Sequence, residues 1–140
     1  LSEYIFSRIS YNHYGFTNYP LGWHSDDKAW LAFSECGLLF SINSAFINVR
    51  ITNQSISGQS ENRKIKRLSR MKFLENLIDE YFGFFTRTQK RIFLLEFGVL
   101  IKELNVLETK RVARILFLLL KMGFVYDACR FLRRIYIVKS

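Results

Sequence analysis

Few residues in this 140-residue chain are typed and spaced for acid–base or metal chemistry. His13 and His24 are its two histidines. His24 lies in "GWHSDD", residues 22–27, beside Asp26 and Asp27. One imidazole with two adjacent carboxylates falls short of the ligand number and spacing of a metal site, and a polar surface turn explains the segment without one. Cys36 and Cys129 lie far apart in the sequence. They form neither a disulfide framework nor a zinc knuckle. Two such thiols suit a reducing compartment, where free cysteines act as small buried hydrophobes. No P-loop, dinucleotide fingerprint or nucleophile elbow occurs. No catalytic residue, metal ligand or cofactor is therefore assigned, no small-molecule substrate is expected, and the chain reads as a non-enzyme.

Binding of phosphate is better supported. The formal net charge is +9, and residues 61–140 hold eighteen of the 21 Lys/Arg but eight of the 12 Asp/Glu. Such a balance favours an anionic partner, either nucleic acid or an acidic membrane surface. The cations fall into three groups. The first is Arg63, Lys64, Lys66, Arg67, Arg70 and Lys72; the second is Lys110, Arg111 and Arg114; the third is Arg130, Arg133 and Arg134, with Lys139 behind it. The first two groups stand ahead of or at the start of expected helices. The helix dipole is already positive there, so added cations repel it and a bound phosphate would relieve the repulsion. Arginine suits phosphate through bidentate hydrogen bonds. Phe84, Phe85 and the Tyr-rich start could stack on bases, but the basic aromatic motif of an RNA-recognition sheet is absent, and most Phe residues read as core.

The elements that must position these cations are read from periodicity. Residues 1–36 form an irregular, aromatic-rich N-terminal extension with turn signals at Gly15, Pro20 and Gly22 and a short helix in "DDKAWLAF". Residues 37–53 suggest strand, with Ile47, Val49 and Ile51 at period two. A polar loop follows to about residue 70. Met71, Leu74, Leu77, Ile78 and Tyr81 predict a helix over 69–82, with Gly83 at its end. "RIFLLEFGVLI", 91–101, suits a buried strand, although Phe93, Phe97, Leu100, Ile101 and Leu104 also fit a helical face. A helix runs from Thr109 to Gly123 on Val112, Ile115, Leu116, Leu119 and Leu120. "FVYDACRF" is read as strand, followed by a basic tail. The order β–(β)–α–β–α–β predicts an α/β domain over 37–140, a two-layer mixed sheet with two main helices. The most apolar stretch is too short to span a membrane and contains Lys121. No secretory or transit-peptide pattern is read at the start, which is Leu1 rather than Met.

This pattern resembles the eleventh small-subunit ribosomal protein family. The matching features are the strand end at Thr52 and Asn53, a basic loop, the helix junction at Gly123 and Phe124, and the pair Cys129–Arg130 at the start of the tail. The family's Gly-Pro-rich loop is replaced here by "GVLIKELNVLETKR". The segment "TKRVARILFLLLKMGFVYD" is also similar to the eighth small-subunit family. Either resemblance implies a structural protein of a ribosome small subunit, with ribosomal RNA and neighbouring ribosomal proteins as partners. The three cationic groups would hold the RNA. The excess of Phe and Tyr over a single Pro is what an AT-rich organelle genome produces, which implies an organelle-encoded protein of the mitochondrial matrix. The rival expectation is a non-catalytic accessory subunit of an organelle membrane complex, held through hydrophobic contacts.

Overall fold

The computed structural model describes residues 5–40, 42, 44, 46, 48 and 61–136. Among them are six α-helices: α1 (Arg8–Tyr14), α2 (Ser25–Phe33), α3 (Arg63–Asn76), α4 (Arg87–Glu103), α5 (Thr109–Lys121) and α6 (Val125–Tyr136). No strand occurs among the described residues, which overturns the expected α/β mixed sheet and the strand order on which the ribosomal resemblance was drawn. Most of the expected strand at 37–53, including Thr52 and Asn53, lies outside the described residues, as does Lys139.

The two segments read as strands in the second half are helical for identifiable reasons. Thr86 and Gln89 make a capping box: the Gln89 N–H donates to Thr86 Oγ1 at 3.3 Å, and the Thr86 N–H donates to Gln89 Oε1 at 2.9 Å. That box starts α4 and satisfies donors that a helix start leaves unpaired. Leu94, Phe97, Gly98, Leu100 and Ile101 of α4 are buried, a face wide enough to look like a continuous apolar run. In α6, Asp127, Ala128 and Phe131 are buried whereas Tyr126, Cys129, Arg130 and Arg133 are exposed, a helical period that the β-forming start "FVY" conceals.

The chain divides into two compact units, Leu1–Phe73 and Leu74–Ser140, with the boundary inside α3. In the first unit α1 packs on α2. Phe6, Phe16 and Phe33 form a mutual aromatic cluster with ring centroids 5.0–5.8 Å apart. The turn before α2 is pinned to α3. Ser69 Oγ is buried and donates to the Trp23 carbonyl at 2.5 Å, while the His24 ring stacks on Phe73 at 4.9 Å.

In the second unit, α3 gives way at Leu77–Tyr81 to one wider, π-type turn and then to a 3-10 turn at Phe82–Phe84. Gly83, expected to end the helix, lies inside that 3-10 turn. Helices α4, α5 and α6 then run up, down and up. Arg91 at the start of α4 reaches Asp127 at the start of α6, and Lys102 near the end of α4 donates to the Arg134 carbonyl near the end of α6. Leu94, Phe97, Ile101, Ile115 and Leu119 fill the core. The end of α5 is a Schellman turn, as the glycine in the sequence suggested. Gly123 has φ +77°, its N–H donates to Leu120, and the Phe124 N–H donates to Leu119, both at 2.9 Å. Residues 104–106 close α4 the same way, with Asn105 at φ +56°.

Candidate nucleic-acid interface

The structure sorts the expected RNA-binding residues into cations committed to the fold and cations that face outward. The first group, 63–72, is part of α3 rather than the loop expected there. Arg63, Lys64, Arg70 and Lys72 are exposed, and Lys66 and Arg67 are half-buried. Lys66 holds its ammonium 4.9 Å from the centroid of the Trp23 ring. The first turn of α3 carries no carboxylate, so Arg63 and Lys64 sit at the positive end of the helix dipole without an acidic residue in that turn to offset them.

The second group is largely structural. Arg111 pairs with Glu75 at 3.1 Å and Glu108 at 2.8 Å, and Arg114 pairs with Asp79. These two arginines join α5 to the end of α3 and its π-type turn, so their charge is already engaged by the fold. The repulsion expected at the start of α5 is offset by those carboxylates. Lys110 alone of the three is fully exposed.

The third group stands on α6. Arg130, Arg133 and Arg134 are all exposed, and among the described residues none forms an ion pair with a carboxylate. The up–down–up course of α4, α5 and α6 brings the start of α5 and the end of α6 to one end of the unit. Lys102, Lys110, Arg133 and Arg134 therefore share that end although they are distant in sequence.

Two further cations, Arg87 and Arg91, are engaged within the fold. Arg87 donates to the Met122 carbonyl through Nε at 3.1 Å and Nη2 at 2.5 Å, closing the end of α5, and stacks on Phe124. Arg91 holds the carboxylate of Asp127 with two hydrogen bonds, at 2.5 and 2.9 Å. Those bonds hold the Asp127 carboxyl below the usual carboxylate range against the opposing effect of burial, and the charges of Arg91 and Arg130 add to them. The Arg91 guanidinium is correspondingly raised by its bonds to Asp127.

His24 is turned inward, its side chain 13% exposed, with Nδ1 2.5 Å from Asp27 Oδ2. It occupies the cap position of α2 rather than an open surface turn. No group of three or more metal-ligating side chains occurs among the described residues. Burial pushes the Cys36 thiol up, away from a reactive thiolate, and Cys129 is exposed on α6.

Several aromatics are exposed, among them Phe40, Phe46, Phe84, Phe117 and Tyr126. Phe84, weighed from the sequence, is exposed, whereas Phe85 packs edge-on against Phe93 at 4.8 Å. Tyr126 was hidden in an expected strand and is 76% exposed. Its signal, the spacing Tyr126–Arg130–Arg133, becomes visible only when the segment is read as helix.

Among the described residues no helix is long and apolar enough to cross a membrane. No protein-family model, curated protein or solved structure matches this chain.

Proposed function

We propose that this chain is a non-enzymatic, RNA-binding structural component of a mitochondrial ribosome small subunit. The observation that carries the RNA-binding reading is the start of α3. Two exposed cations, Arg63 and Lys64, occupy a first turn that the helix dipole already makes positive, with no carboxylate in that turn. This arrangement disfavours the isolated protein and favours a bound phosphate. Within the second unit, the outward arginines of α6 and Lys110 form a cationic surface of their own. The organelle is inferred from composition, the anionic partner from charge, and the ribosome from the sequence resemblance at Gly123–Phe124 and Cys129–Arg130. In the first unit, Ile5, Leu38, Leu39 and Phe40 are exposed beside an apolar hollow of about 250 Å³ lined by Phe6, Phe16, Trp30 and Phe33. That surface suits contacts with neighbouring ribosomal proteins. It would equally suit an accessory subunit of an organelle membrane complex, the second reading.

The double substitution Arg63→Glu, Lys64→Glu tests the proposal through two readouts of opposite sign. Acidic residues in a first turn favour the dipole, so thermal stability should rise by roughly 0.3–1 kcal/mol per site. RNA affinity should fall, and the slope of log K against log salt should become shallower by about 2 if both side chains contact phosphate. Unchanged RNA affinity and salt slope would sink the proposal. In organelle extracts the wild-type chain should co-sediment with an RNA-containing particle and be released by nuclease. Assembly that survives both the charge reversal and nuclease would favour the membrane-complex reading.

A further inference from the structure

Resting on the RNA-binding reading, we infer that the outer face of α6 holds unpaired RNA, with Tyr126 stacking on a base and Arg130 and Arg133 gripping the adjoining phosphates. The three residues lie at i, i+4 and i+7, which places them in one row about 10 Å long on the helix surface. Tyr126 is 76% exposed, so among the described residues most of its surface is open to a ligand. Arg130 and Arg133 follow it, exposed and without a carboxylate pair among the described residues. The acidic residue of this helix, Asp127, is turned inward and taken by Arg91. The outer row therefore joins one stacking surface to two cations, and Asp127, whose charge Arg130 also feels, is held by its two hydrogen bonds to Arg91.

That combination selects among anions. A duplex offers phosphates but keeps its bases stacked on one another, so a tyrosine on a convex helix gains nothing from it. A single strand offers both a free base face and a flexible backbone, and every base has such a face, so binding tolerates sequence. The neighbouring groove between α4 and α6, about 520 Å³, suits a polyanion less well: Glu96 and Glu103 line it together with Lys102, Arg130 and Arg134. The outer row is thus the favoured track.

The test uses the full chain and fluorescence anisotropy with two probes, an unstructured single-stranded RNA of about 12 nucleotides and a duplex RNA of the same length. Tyr126→Ala should weaken single-strand binding by about 5- to 150-fold and leave duplex binding unchanged. Tyr126→Phe, which keeps the ring, should bind as wild type. Arg133→Ala should weaken both probes and flatten the salt dependence. Helical circular dichroism checks that each variant folds. Single-strand affinity unaltered by Tyr126→Ala, or an equal loss on both probes, overturns the inference. So does a Tyr126→Ala protein that changes only its self-association in sedimentation, which would make this face a protein contact. If Arg63→Glu, Lys64→Glu weakens RNA binding and Tyr126→Ala does not, this inference fails and the broader reading stands. If the wild-type chain binds neither probe, both fail.

Discussion

Asp127 is 5% exposed, yet it is charged, because Arg91 meets both of its oxygens. Its depressed pKa fixes the sign of a pH effect. A carboxylate that is more acidic folded than unfolded stabilises the fold fully above its unfolded value, about 3.9, and loses that contribution as pH falls through the lower folded value. Asp127→Asn should therefore lower the melting temperature at pH 7, and the gap from wild type should close on acidification below about pH 4. A gap that stays constant down to pH 2 would show that the pair contributes through packing rather than charge. This pair could not be read from the sequence. Its members stand 36 residues apart, and "FVYDACRF" read as strand gave Asp127 no inward role. Separations of 36 and 35 residues likewise hid the pairing of Glu75 with Arg111 and of Asp79 with Arg114. A basic cluster in sequence counts charges without revealing which already have partners.

At the scale of elements, Gly98 decides how closely α4 approaches α6. A Cβ at this position would clash with the Phe131 ring, which therefore rests directly on the helix backbone. In an exposed helix, Gly→Ala would gain about 1 kcal/mol. Here Gly98→Ala should instead destabilise, with overpacking costing roughly 1–3 kcal/mol, measured by urea unfolding. Adding Phe131→Leu should recover part of the loss, because the two sites touch and their effects are not additive. Thr86→Ala should cost about 1 kcal/mol by removing one half of the capping box that starts α4. The well-patterned parts of these helices were legible. Val112, Ile115 and Leu119 of the α5 stripe are buried and the helix ends ahead of Gly123 as the spacing put it, although Leu120 is exposed, and the repeat from Met71 to Tyr81 lies in α3 and its π-type turn. What misled was breadth of burial. A helix covered on several sides carries apolar residues almost continuously, and "RIFLLEFGVLI" then looks like a buried strand. The threonine and glutamine at 86 and 89 were the local signal that distinguishes the two, and the glycine inside the run marked a close approach rather than a break.

For the whole molecule, the +9 charge is divided between cations that hold helices together and cations that face solvent. Arg87, Arg91, Arg111 and Arg114 belong to the first kind. Arg63, Lys64, Lys110, Arg130, Arg133 and Arg134 are exposed. RNA binding should therefore be steeply salt-dependent, but with a slope set by the outward cations rather than by the full count of basic residues. Substituting Arg87 or Arg91 should lower stability without flattening that slope, whereas substituting Lys110 or Arg133 should do the reverse, as read from paired melting and salt-titration curves. The charge excess was plain in the sequence; its division depends on contacts that only the folded chain makes.

Lys66 above Trp23 gives the protein an optical reporter of its own. The chain has two tryptophans, so Trp30→Phe leaves Trp23 as the sole indole emitter. The ammonium 4.9 Å from that ring polarises it, and an RNA phosphate that draws Lys66 away changes the field the excited indole feels. RNA titration should then shift the emission of the Trp30→Phe protein, and the shift should vanish in Trp30→Phe, Lys66→Met. Occupancy of the α3 end can thus be followed in real time without an attached dye, by the fluorescence of a ring that the fold has placed beneath one of its own cations.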